Sequence, residues 1–164
     1  MACAAAGFYV ALEDVMPTNL RKAEVEYSDL SLRGGFGELQ LASTVEDAVR
    51  EADIAIDFVP DELESKLEIF SMIDRMAPPK TIICTPSDTQ SITDLSSCVY
   101  RPDQCLALRG KIVAGAQVRL LYPPAVSQKT VTAATAFFTR LGVEPRFEVD
   151  PDAPVLVKNT TLPN

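Results

Sequence analysis

The chain of 164 residues contains no histidine, and its four cysteines, Cys3, Cys84, Cys98 and Cys105, fall into no CxxC pair. Neither a zinc site nor a redox dithiol is therefore suggested, and the cysteines read as reduced thiols, three of them buried. Basic residues are outnumbered, 15 against 23 acids, and the net charge of -8 with scattered Lys and Arg argues against a nucleic-acid surface. No apolar run approaches the roughly 20 residues that cross a bilayer, so no membrane span is expected. The opening Met-Ala-Cys-Ala-Ala-Ala-Gly lacks a basic start and is short for a signal peptide, which makes the cytoplasm the expected location.

The length and a hydrophobic content of 47% with 23% charged residues fit one ordinary soluble globular domain. Its centre is the stretch Ala52 to Phe70. The apolar run Ile54 to Val59 stops at Pro60 and passes into an amphipathic segment that begins with acids, as a buried parallel strand feeding a helix does. Ligands of open α/β sheets bind beyond the carboxyl ends of the strands, so Asp57 to Asp61 is the first place to look for chemistry.

In chain order, residues 1 to 7 read as helix turns stopped by Gly7, and Phe8 to Leu12 as a strand closing on Glu13 and Asp14. A helix is expected over Leu20 to Tyr27. Gly34, Gly35 and Gly37 lead into a strand rather than from a strand into a helix, so they read as a turn and not as a phosphate cradle. Ser43 with Glu46, or Thr44 with Asp47, starts a short helix, and Ser91 with Asp94 starts another. The helix from Asp61 to Met76 carries Leu63, Leu67, Phe70, Ile73 and Met76 at spacings of three and four, a stripe expected to lie in the core.

Further strands are expected at 81–84, 104–108, 117–121 and 146–149, with a helix capped by Ser127 running to Arg140. Strand and helix alternate from Leu39 to Leu108. The class is therefore α/β, a doubly wound, mostly parallel sheet with helices on both faces, its later strands open to mixing.

The strand ending in Glu13-Asp14, Ser43 to Val49, Ala52 to Lys66, Phe70, Ala77-Pro-Pro79, Ile83, Ser91-Ile92, Arg101-Pro102 and Leu141 to Pro145 together resemble the NAD-binding domain of 3-hydroxyacyl-CoA dehydrogenases. That resemblance covers residues 1 to about 158, followed by a tail at 159–164 where the family's helical domain would begin. It implies a Rossmann-like fold, NAD as cofactor, and a small-molecule substrate.

By the same resemblance, Asp14 takes the position of the acid that holds the adenosine ribose, and Val59, Pro60, Asp61 and Lys66 border the nicotinamide ribose. Two readings stay open for Asp61, cofactor neighbour or helix N-terminal acid. Lys66 reads more simply as a solvated helix lysine.

The family's first strand and its GxGxxG turn would precede Met1. Asp88 stands where a substrate-contacting serine is expected. Arg109, in Ala107 to Val113, occupies the place of the catalytic histidine, so no catalytic residue is assigned, because a guanidinium stays protonated and cannot act as a base. The glutamate that orients that histidine falls near Arg119 or Leu121. Arg109, Lys111 and Arg119 either face an anionic substrate or lie in solvent. An open sheet edge leads to the further expectation of a homodimer.

Overall fold

The structure is a computed structural model that describes residues 1–32, 34 and 36–153. The tail and the last residues of the expected domain lie outside the described residues, as do Arg33 and Gly35.

Helix α1 (Ala2–Ala5) leads to strand β1 (Val10–Leu12), α2 (Pro17–Ser31), β2 (Leu39–Leu41), α3 (Val45–Val49), β3 (Ile54–Ile56), α4 (Leu63–Met76), β4 (Ile82–Pro86) and α5 (Ile92–Ser96). A single 3₁₀ turn precedes β5 (Cys105–Arg109), and β6 (Gln117–Tyr122), α6 (Gln128–Arg140) and β7 (Glu144–Val149) complete the described chain. The expected alternation and class hold. The strands form two sheets, a parallel β1-β2 ribbon and a five-stranded sheet in the order β3-β4-β5-β6-β7. Its one antiparallel pair joins β5 to β6.

Burial on both faces explains the near-continuous apolar strands. In β4, Ile83 faces a cluster with Phe70 and Ile73 of α4 and Ile92 and Leu95 of α5, while Ile82 and Cys84 face the opposite one with Ala134 and Phe138 of α6. Helix α1 and the residues after it join the α6 side through Cys3, Ala6 and Phe8. There Arg140 lies 4.8 Å over the Phe8 ring and donates to the Ala6 carbonyl. Gly7 follows with φ of 84°, the left-handed turn that only glycine adopts easily and that ends α1 as expected.

Caps set the short helices. Thr44 accepts from the Asp47 N–H, so the alternative register is the one used; Ser91 and Ser127 accept from the N–H groups of Asp94 and Thr130. Helix α2 is longer than expected and buries no residue fully.

The stripe on α4 needs correction. Phe70 and Ile73 are buried, but Met76 is 37% exposed and Leu63 is exposed as well. The buried face instead runs through Lys66, Phe70, Ile73 and Asp74. A purely apolar pattern missed it because two of its positions are charged. Of the cysteines, Cys84 and Cys105 are buried, whereas Cys3 is half-buried and Cys98 exposed. Burial pushes the Cys84 thiol up to about 12, with the nearby Asp57 charge adding to it, which leaves it an inert core residue.

Gly37 is a point of close approach. Its N–H donates to the Ala4 carbonyl and its carbonyl accepts from the Tyr27 hydroxyl, and a Cβ there would stand 1.9 Å from the Phe8 carbonyl oxygen. Gly37→Ala is accordingly expected to cost about 1–3 kcal/mol by forcing backbone apart, read as a lowered urea midpoint at unchanged m.

Candidate functional site

The carboxyl ends of β3, β4 and β5 lie side by side, because Ile56 is in register with Cys84 and Pro86 with Leu108. Three turns therefore meet at one edge: 57–62 after β3, 87–91 after β4 and the turn beyond Arg109. This is the edge at which the sequence placed the chemistry.

Beneath it lies a buried ion pair. Lys66 Nζ donates to Asp57 Oδ1 at 2.8 Å, with the two side chains only 1% and 2% exposed. Asp57 directly follows β3 and Lys66 lies at the end of the first turn of α4, so the pair ties strand end to helix across the intervening turn. Lys66 is thus not a solvated helix lysine. Asp57 Oδ2 has no partner within the protein. The Thr85 hydroxyl lies near enough to help hold the charge but makes no well-formed hydrogen bond. Burial pushes the Asp57 carboxyl above its ordinary range, even against the Lys66 ammonium.

Asp61 is not simply a helix N-terminal acid, since it lies just ahead of the N-cap Glu62. Its carboxylate accepts from the Ser87 hydroxyl at 2.5 Å, the Asp88 N–H at 3.0 Å, and both the N–H and hydroxyl of Thr89. Partial burial would raise this carboxyl, but those donors outweigh it and hold it below the usual range. Asp61 therefore latches the turn after β4 to the turn after β3. Helix α4 begins two residues later, with Glu62 as an N-cap that makes no side-chain bond.

Asp88 is exposed at the rim and contributes its N–H to the latch. Val59 and Pro60 form the outer part of the same turn, beside Phe58, whose side chain is 77% exposed.

Arg109 closes the other side. Its Nε donates to the Ser87 carbonyl at 3.1 Å and its Nη2 pairs with Asp152 at 2.6 Å, its side chain being 14% exposed. Next to it on β6, Arg119 makes a two-pronged pair with Glu148 of β7. Both arginines are thus neutralised from within the chain. Lys111 is exposed on the turn between the strands. The structure unites Asp61, Asp88 and Arg109 around Ser87, and sets Lys66 underneath.

Asp14 stands apart from this group, at the carboxyl end of β1. Its oxygens accept from the Met16 N–H at 2.7 Å and from the Asn19 amide at 2.9 Å, and these bonds hold its carboxyl below the usual range. One donor to each oxygen leaves lone pairs for further donors, as two ribose hydroxyls would require. The position fits a dinucleotide's ribose. Among the described residues, no glycine-rich turn joins a strand to a helix at this edge, so nothing in them forms a pyrophosphate cradle.

Sequence reasoning pointed to Asp57 within the stretch Asp57 to Asp61 but not to its buried pairing, and it missed Asp150 and Asp152. Asp57 interrupts an otherwise apolar strand, which was itself a signal that a buried partner existed. Asp150 accepts from the Ser91 hydroxyl at 2.7 Å and the Thr93 N–H at 2.8 Å, anchoring the end of β7 to α5. Asp152 is the partner of Arg109. The last two carried no local signal, since their contacts lie 43 to 59 residues away in the chain.

The sequence model of the family described as "3-hydroxyacyl-CoA dehydrogenase, NAD binding domain" matches residues 1–145. The chain belongs to this family. Among individual relatives, the "Probable 3-hydroxybutyryl-CoA dehydrogenase" of Bacillus subtilis strain 168 is 25% identical over 172 residues, an alignment taking in 96% of this chain and 59% of that protein. The mitochondrial hydroxyacyl-coenzyme A dehydrogenase of Sus scrofa is 28% identical over 112 residues, or 65% of this chain and 36% of its own length.

The NAD-binding domain of this family has the fold found here. The solved 3-hydroxyacyl-CoA dehydrogenase of Archaeoglobus fulgidus superposes with a TM-score of 0.77 at 20% identity, covering 96% of this chain and 54% of that one. The 3-hydroxybutyryl-CoA dehydrogenase of Escherichia coli K12 gives 0.77 at 20%, covering 91% and 34%. The chain thus spans 59% of the Bacillus relative and less of the others named. Among the described residues no group of potential ligands could hold a metal ion, and no helix is long and apolar enough to cross a membrane.

Proposed function

We propose that residues 1–153 bind NAD at the carboxyl edge of the two sheets and do not by themselves oxidise a 3-hydroxyacyl thioester. NAD supplies hydride acceptance when bound. Asp14 would accept hydrogen bonds from the adenosine ribose, and Val59, Pro60 and the rim around Asp61 would border the nicotinamide end, with Lys66 supporting that turn from below. A carboxylate at Asp14 also favours NAD over NADP, because it repels a 2′-phosphate.

The observation that carries the reading is the state of Arg109. It occupies the position that the family resemblance gives to the catalytic histidine, and it is locked to the Ser87 carbonyl and to Asp152. A guanidinium cannot take the hydroxyl proton, and loss of the general base is worth roughly 10²- to 10⁴-fold in rate. The site thereby keeps the means to orient a ligand and lacks the group that would move its proton. The setting we assign is cytoplasmic fatty-acid metabolism, with a small acyl thioester as the ligand beside the cofactor.

Isothermal titration of the folded protein with NAD and NADH tests the binding half. Heat of binding is expected in the millimolar range or tighter, and Asp14→Ala should weaken it by about ten-fold or more, as loss of hydrogen bonds to a charged acceptor does. The absence of heat at millimolar ligand would overturn the reading. Absorbance at the NADH band with 3-hydroxybutyryl-CoA tests the other half: no turnover is expected, and measurable NADH formation would refute it.

A further inference from the structure

Arg101, Arg109 and Arg119 are each held by an acid of the chain, but in different ways. Arg101 places all three guanidinium nitrogens on acceptors, the Asp74 carboxylate and the carbonyls of Asp74, Ala77 and Pro78. Arg119 meets Glu148 through Nε and Nη2 together. The Arg109 side chain is buried almost as deeply as that of Arg101, 14% exposed against 11%, yet its Nη1 has no partner among the described residues. That nitrogen is not one of the buried unpaired atoms, so it is open to solvent. Asp152 reaches the guanidinium through Nη2 alone. The end of the fork, whose two parallel donors match the two oxygens of a carboxylate, is thus half used.

Asp152 is not needed to hold its own segment. Asp150, 3% exposed, does that by accepting from the Ser91 hydroxyl, the Thr93 N–H and, at 3.0 Å, the N–H of Asp152 itself. With the backbone fixed there, the half-exposed Asp152 side chain has Arg109 as its one partner among the described residues and can turn into solvent without loosening the end of β7. Arg109 in turn keeps its place when Asp152 leaves, because its Nε is on the Ser87 carbonyl. The charges nearby favour an anion in the vacated position. Arg109 and Arg119 are in register on β5 and β6, and the charges of Glu148 and Asp152 act on them. Two cations face two acids, so withdrawing Asp152 leaves one positive charge that a carboxylate balances and a neutral carbonyl does not. Of the other acids at this edge, Asp61 is engaged by the donors of the latch, and Asp88 stands exposed at the rim where solvent screens it.

We infer that Arg109 exchanges Asp152 for a carboxylate of the ligand, and that the acyl ligand at this edge is a half-thioester of a short dicarboxylic acid. This rests on the placing of an acyl thioester beside the cofactor, and it adds what the acyl part carries. One carboxylate replaces another, so the guanidinium is at no point buried without a counter-charge. Asp152 acts as an internal competitor. A tethered group has an effective concentration of about the millimolar range, and a ligand that engages both Nη atoms, where Asp152 engages one, displaces it.

Isothermal titration of the folded protein, without NAD, tests this with malonyl-CoA against propionyl-CoA, which has a methyl group in place of the carboxylate. Malonyl-CoA is expected to bind about ten-fold or more tightly, as a charge-assisted pair with Arg109 requires. Arg109→Gln should abolish that preference. Asp152→Asn should tighten malonyl-CoA by about three-fold or more and leave propionyl-CoA unchanged, because the competitor has lost its charge. Equal affinities in the parent protein, no binding of either thioester, a preference kept by folded Arg109→Gln, or no tightening in Asp152→Asn each overturn the proposal. If Arg109→Gln does not fold, Asp152→Asn decides, since its residue lies on an exposed turn. Parallel titrations with NAD separate the two readings. Loss of NAD binding with the malonyl preference intact sinks the cofactor reading alone, and NAD binding without the preference sinks this one alone.

Discussion

Replacing Lys66 with methionine is expected to destabilise the protein by about 3–5 kcal/mol, because it leaves the Asp57 carboxylate buried without a counter-charge. For a chain of this size, roughly 2–4 °C of melting temperature is lost per kcal/mol, so the fall should be easy to measure by thermal denaturation. The size of the effect comes from burial. An exposed pair such as Lys80 with Asp53 is mostly screened by solvent, whereas Lys66 and Asp57 are among the least accessible charged side chains of the molecule. The double variant Asp57→Asn, Lys66→Met removes both charges and should recover much of the loss, since apolar or neutral replacements of a buried pair are often tolerated.

The pH dependence sharpens this prediction. Burial already raises the folded-state pKa of Asp57 above its ordinary value, so the folded protein binds a proton there more readily than the unfolded chain. For that group, stability is present below the unfolded pKa and falls as pH rises through the window up to the raised folded value. Removing Lys66 takes away the main opposing influence and raises the folded pKa further, which widens the window. Lys66→Met should therefore be damaged least in mild acid and most at neutral pH and above. A loss that is the same at all pH values would show that packing, and not the stranded charge, is responsible.

Much of the fold was legible because it rests on local signals. The strand and helix alternation, the Ser and Thr caps and the glycine at 7 each act within a few residues, and each appears in the structure where the sequence put it. The edge of the site was legible for the same reason, since a strand that stops at a proline before an acid-rich helix start marks a carboxyl end. What stayed hidden was the set of contacts made by charged residues with distant partners. Lys66 and Asp74 occupy the buried face of α4, and a search for apolar periodicity passes over them. Asp61 has the look of a helix-start acid, and only the approach of the 87–89 segment turns it into a latch. Arg109 and Arg119 read as free cations until β7 and the turn after it bring Glu148 and Asp152 alongside.

Arg101→Ala is expected to have an effect comparable to that of Lys66→Met, about 3–5 kcal/mol, for a related reason. Arg101 Nε pairs with Asp74 Oδ1 at 2.7 Å, and the Asp74 side chain is only 2% exposed. The same guanidinium donates to the carbonyls of Asp74 at 2.6 Å and Ala77 at 3.3 Å where the helix ends, and to that of Pro78, which also accepts from the Thr81 N–H. The prolines at 78 and 79 that stop α4 cannot supply donors to those carbonyls, so one arginine from the loop after α5 does the work of a cap. Removing it strands a buried carboxylate, which keeps the Tyr100 N–H at 3.0 Å as a donor, and uncovers the helix end at once. Arg101→Lys separates the two contributions. It restores the charge opposite Asp74 but not the planar fork that reaches three carbonyls, and is expected to regain only part of the loss. Urea midpoints of the two variants measure this directly. Equal stability of Arg101→Lys and the parent protein would show that charge alone matters here, and that the carbonyl cap contributes nothing.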